Sequence, residues 1–191
     1  MSKRLDREKF LNDIRAKGVE ISNINDLMKL DKRYKDLVPI FVEHLRNIDD
    51  ESDKEFLVRC LGVKGFNEAT EQLLSEFNNT DKVTYKWAIG NTLSVIEDKS
   101  KLNELLEIVQ NKEHGIARQM IVIAIGKMKA KEAFPVLLNL LKDEDVVGHA
   151  IDALSYYKDP TVIPYLEPLT SHSVGWVKKE AFKVIKKLNK L

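Results

Sequence analysis

Apolar residues recur along this chain at spacings of three, four and seven, the stripe of an amphipathic helix, and the stripes come in pairs. The clearest pair spans residues 117–141. Ile121, Ala124, Ile125 and Met128 share one side of a first helix; a short basic turn follows; Phe134, Leu137, Leu138 and Leu141 line a second helix that Pro135 helps to open. Shifted copies fill the same slots from Asp53, Tyr85, Ala117 and Val146, with a last half-unit from Val177, so the steps are 32, 32, 29 and 31 residues. A hairpin of two such helices cannot bury its inner stripe alone. Neighbouring hairpins must therefore stack, and the pattern predicts an all-α stack rather than a closed bundle.

Two further features fall into that register. Pro39 precedes Pro135 by 96 residues, three steps of 32, and Pro164 follows by 29. A proline early in a helix gives up an amide that lacks a helical partner in any case, so one slot per unit accepts it. Gly62 and Gly126 share another slot, filled by Ser94 and Ser155 elsewhere, which predicts close helix packing there. The first 33 residues have a different texture. Residues 5–15 place Leu5, Phe10, Leu11 and Ile14 along one side before Gly18 ends the helix. Ser22 or Asn25 is placed to cap a short helix whose Ile24, Leu27, Met28 and Leu30 face inward. Residues 34–46 read as the first helix of a full unit and 49–52 as an exposed turn. We therefore expect an N-terminal helical cap over 1–33 and a repeat array over 34–191, together one continuous domain.

The pattern resembles the HEAT repeat, specifically the short bacterial form grouped with the phycobilin-lyase (PBS-lyase) HEAT-like repeats. Arg118, Ala124, Ile125, Gly126, Met128, Ala133, Phe134, Pro135, Leu137 and Leu138 match that family's arginine, alanine-leucine-glycine and valine-proline-leucine signature. Its basic slot holds Lys54, Lys86, Arg118 and Lys178, and Val147 departs from it. The resemblance implies a right-handed α-α superhelix, a HEAT-like solenoid of about five hairpins. It implies a macromolecule-binding scaffold and no single chemistry. Nothing marks a tetrapyrrole pocket.

Composition narrows the function classes. The chain has 191 residues with 43% hydrophobic and 32% charged content, the balance of a folded, water-soluble domain. No apolar run approaches the ~18 residues of a membrane span and no signal peptide opens the sequence, so it reads as cytoplasmic with no membrane partner. The single cysteine, Cys60, occupies an apolar helix slot and reads as a small buried hydrophobe. A net charge of +1 argues against a uniformly basic nucleic-acid binder. Charge is nevertheless segregated: residues 143–175 hold six acidic side chains and one lysine, whereas 176–191 hold six lysines and one glutamate. Mutual neutralisation on a solvated end face competes here with a basic edge for phosphate or an acidic partner.

Catalytic and metal chemistry find no support. His44, His114, His149 and His172 form no paired metal spacing and read as isolated surface or turn residues. Neither a phosphate-binding glycine loop nor a nucleophile elbow is present, and no cofactor, metal or catalytic residue is expected. What remains is a surface. In HEAT-like stacks the second helix of each unit lines the concave side, and the slots left over from the core there carry Arg59, Lys86, Trp87, Asn91, Arg118, Gln119, Asp152, Tyr156, Lys179 and Lys183. Trp87 beside Asn91, Arg118 and Gln119 has the aromatic-plus-polar make-up of an interaction hot spot, or else fills a gap between units. Trp176 is expected to pack at a cap. The resemblance also lets Lys86 and Arg118 form ladders with acidic residues of the next unit.

Two classes follow: a non-enzymatic module binding a protein or peptide partner on its concave face, and, as the alternative, a nucleic-acid protein resembling the HEAT-like alkylpurine DNA glycosylases. The latter needs an aromatic pocket, a carboxylate and phosphate clamps in one cleft; Trp87, Trp176, Asp152, Arg118 and the terminal lysines are the pieces available. Trp87 and Trp176 sit in units separated by two others and no continuous basic stripe joins them, so the nucleic-acid reading is not favoured.

Overall fold

A computed structural model describes residues 2–190. Among them every regular element is helical: α1 (Arg7–Arg15), α2 (Val38–Arg46), α3 (Glu51–Cys60), α4 (Thr70–Asn78), α5 (Val83–Ile96), α6 (Leu102–Gln110), α7 (Gln119–Met128), α8 (Ala133–Leu140), α9 (Val147–Ser155), α10 (Ile163–Leu166) and α11 (Gly175–Leu188), joined by short 3-10 turns. The fold is the all-α, HEAT-like arrangement of consecutively packed helices that the repeat pattern predicts. The chain forms two compact units, one ending at Asp98 and one starting at Lys99. In the first, α5 packs against both α3 and α4, and α1 against α2. In the second, α9 lies between α7 and α11, while α6 and α8 cover α7 and α9 from the other layer.

The expected stripes are the core. Leu57, Leu61, Leu73 and Phe77 are fully buried in the first unit, and Ile121, Ala124, Ile125, Leu137, Ala150 and Leu154 in the second. Pro39 and Pro164 stand in the first turns of α2 and α10. Gly126 lies so close to α9 that an added Cβ would come within 2.5 Å of Ala153 Cβ and 2.9 Å of its carbonyl oxygen. The small-residue slot is therefore a backbone-to-backbone contact at that position.

One repeating device has no glycine signature. Gly65, Glu97, Lys129 and Lys158 all have left-handed backbone, with φ of 90°, 58°, 53° and 55°. They are spaced by the repeat steps of 32, 32 and 29 residues. Glu97 and Lys129 cap α5 and α7 directly, their amides donating to the Leu93 and Gly126 carbonyls, whereas Lys158 and Gly65 stand in the turns that follow α9 and α3. Only Gly65 is the residue type that reaches this conformation without steric cost.

The N-terminal residues pack onto the first unit through a polar latch. Asp53 is buried, and its carboxylate accepts the Leu5 amide at 3.0 Å and Arg4 Nε at 3.2 Å. The Asp49 amide donates to the Lys3 carbonyl at 2.8 Å. Burial raises the Asp53 carboxyl, but those donors and the charges of Arg4 and Arg7 outweigh it and hold the group below its usual range.

Three local expectations need correction. Asn23, not Ser22 or Asn25, caps the turn over Ile24–Lys29, by accepting the Asn25 amide at 2.9 Å. That turn is 3-10 rather than α, with three residues per turn, so Ile24, Leu27 and Leu30 align inward and Met28 is left 49% exposed. Residues 34–46 are not one helix, because a 3-10 turn over Lys32–Leu37, kinked at Tyr34, leads into α2.

Candidate functional site

The ten residues singled out from the sequence fall on or beside α3, α5, α7, α9 and α11. These are the first helices of units counted from Ala117, and the second helices of units counted from the preceding proline-bearing helix; the phase of a repeat is arbitrary. Two of the ten are not on the surface. Arg118 is fully buried: Nε donates to the Gly115 carbonyl at 2.9 Å, Nη1 to the Val109 carbonyl at 3.0 Å and to Asp143 at 2.9 Å, and Nη2 to Asp145 at 3.3 Å. It ties the end of α6 to the turn before α9, a structural ladder, so the expectation that it meets a partner is overturned. Lys86 is also buried, its ammonium 4.9 Å from the centre of the Phe77 ring, where the flexible stem is covered by protein.

Of the others, Arg59 is exposed and paired with Glu55 at 2.6 Å. Trp87 is 38% exposed on α5, one turn before the half-buried Asn91. Gln119 donates to the Asp145 carbonyl at 2.9 Å. Lys179 is exposed on α11. Asp152, Tyr156 and Lys183 come together on α9 and α11, and there the structure adds residues that the hydrophobic pattern gave no reason to group.

Three rungs of side chains lie along these two helices, and the first of them joins the helices directly. At the first, the Trp176 indole lies across Gly148, where a Cβ would fall 1.9 Å from the ring, and meets His149 edge to face at 5.5 Å between centroids. The indole packs on one side, as expected of it, yet remains 51% exposed on the other. The second rung pairs Asp152 with Glu180. Burial and the Glu180 charge raise the Asp152 carboxyl above its usual range, against the pull of Lys183 and His149. At the third, Tyr156 hydrogen-bonds to Asp152 along α9, and Lys183 binds Glu180 at 2.8 Å along α11. Burial lowers the basicity of His149 despite Asp152, and its Nδ1 is buried without a hydrogen-bond partner among the described residues. The rungs thus set aromatic, acidic and basic groups side by side along adjacent helices, a composition suited to recognition.

Comparison with protein families bears on what this frame is. The family model for HEAT repeats matches residues 102–186. Over this stretch the chain carries HEAT repeats. The match covers α6 to most of α11, and so includes all three rungs and the Arg118 ladder. HEAT repeats generally mediate protein interactions. No curated protein matches the chain. Two other histidines have structural partners. His44 is buried in α2 with Nε2 2.7 Å from Asp13, and His172 lies 3.2 Å from Glu144, so His44 is not the surface residue expected. Cys60 is buried, its thiol raised to about 12 by desolvation, which leaves the protonated form at neutral pH. Among the described residues no helix is long and apolar enough to cross a membrane.

Proposed function

We propose that the chain is a non-enzymatic interaction module that binds a protein or peptide partner along the exposed edges of α9 and α11, with Trp176 as the anchor. The observation that carries this reading is the indole itself: its inner edge is held over Gly148 and against His149 while half of its surface stays open. A large aromatic fixed in place before binding loses little freedom on contact, which is how interface anchors contribute most of their energy. Asp152, Tyr156, Glu180 and Lys183 supply a polar border around it. Trp87 and Asn91, on α5, form a separate patch whose part in binding is tested alongside.

The test is affinity capture from cell extract with quantitative mass spectrometry, comparing wild type with Trp176→Ala and Trp87→Ala, each checked by circular dichroism. The expected result is a specific protein recovered by wild type and Trp87→Ala and lost with Trp176→Ala. Equal recovery with all three chains would remove the α9–α11 edge as the binding surface.

A further inference from the structure

The side of α11 that faces away from α9 carries a second arrangement, independent of the rungs. Val177, Ala181, Val184 and Leu188 are buried and fix which side of the helix points inward. At 3.6 residues per turn, Lys178, Lys179, Phe182, Lys186 and Lys190 then project outward on the other side. Phe182 is 53% exposed at the middle of this face. Lys178 and Lys186 lie one turn before and after it, about 6 Å along the axis in each direction. Unlike Lys183, which Glu180 occupies, Lys178, Lys179, Lys186 and Lys190 make no ion pair with any described residue. Such a run of uncompensated like charge costs stability through self-repulsion and is relieved by an anion.

We propose that this outer face of α11 binds single-stranded nucleic acid without sequence preference, the four lysines on successive phosphates and Phe182 as a platform for one base. Three features select this partner. Lysine ammonium groups are point charges that neutralise phosphates, and a row of four along one face matches the repeating charge of a phosphate backbone. A helix that binds a lipid surface inserts its apolar side, but that side of α11 is occupied by the core of its own unit. An open aromatic flanked by cations matches the pairing of base stacking with backbone neutralisation used for single strands, and a duplex hides its bases from such a platform.

Fluorescence anisotropy with a labelled 12-nucleotide single strand of mixed sequence, run on the full chain from about 25 to 200 mM salt, tests it. Binding is expected to weaken with a log–log salt slope of about −2 to −3, the value for three or four neutralised phosphates. The double variant Lys179→Glu/Lys186→Glu should abolish binding, and Phe182→Ala should weaken it about 5- to 150-fold, the range for one lost stack. Trp176→Ala should leave it unchanged, which separates this face from the α9–α11 edge. All substituted positions are exposed, and thermal melts confirm that the variants stay folded. No binding at 25 mM salt, binding untouched by the charge reversals, or tighter binding to a matched duplex, to poly-glutamate or to anionic phosphatidylserine vesicles would each overturn the proposal.

Discussion

Replacing Arg118 with methionine tests whether this residue is a structural tie. Methionine keeps most of the stem's volume and deletes the guanidinium, so four hydrogen bonds are lost together. Asp143, itself buried, loses its ion-pair partner and keeps the Asp145 amide at 3.2 Å and the more distant charge of Lys112. Removing one partner of a buried pair leaves an uncompensated charge and costs about 3–5 kcal/mol. With a urea slope of about 2 kcal/mol per molar, the midpoint should fall by roughly 1.5–2.5 M. Trp176 emission in a Trp87→Phe background reports on the unit that contains Arg118. Asp145→Ala is the control: its side chain is 46% exposed and meets only one guanidinium nitrogen, so the loss should stay below about 1 kcal/mol.

The pH dependence has a defined sign. In the wild type, burial raises the Asp143 carboxyl, but the hydrogen bond and charge of Arg118 with the Asp145 amide outweigh it, and the folded value lies below the ordinary one. The pair therefore stabilises the fold above the ordinary carboxylate range and loses that contribution as the pH falls through the folded value. Without Arg118, burial is opposed only by the Asp145 amide and the charge of Lys112, so the folded value moves up and acid costs the variant less stability than it costs the wild type. The deficit of Arg118→Met should thus narrow as the pH falls from 7 towards 4. A loss below about 1 kcal/mol at pH 7, or a deficit that widens in acid, would refute the reasoning.

Two further outcomes are expected. Lys129→Gly places at a left-handed joint the residue that tolerates it, and should raise stability by up to about 1 kcal/mol in urea unfolding, whereas Gly65→Ala should lower it by a similar amount; the opposite signs would mean that the joints carry no strain. Gly148→Ala puts a methyl where the Trp176 ring lies, so with Trp87→Phe as background the indole emission should shift to the red and partner capture should fall, while helix propensity keeps the stability change within about 1 kcal/mol; unchanged emission would place the ring elsewhere.

The repeat frame was legible because burial acts on every unit alike: the apolar slots of Ile121, Ala150 and Leu57 must recur wherever the same contact recurs. Polar positions lack that constraint. Arg118 and Lys86 read as surface residues because long cations usually keep their heads in water, and only the Val109 and Gly115 carbonyls and the Phe77 ring show why these two do not. The left-handed joints stayed hidden because Glu97, Lys129 and Lys158 are ordinary surface residues in composition, and the strain lies in their backbone. Trp176 was expected to pack. Its contact depends on an absent side chain at Gly148, 28 residues away, which no helical periodicity registers.

That contact has a mechanical consequence. The ring belongs to α11, but what sets its position is bare backbone on α9. Anything that grips the open half of the indole thereby clasps both helices at once, and occupancy must resist their separation. Loading the protein should consequently raise the temperature at which this pair parts, in proportion to how tightly the visitor holds.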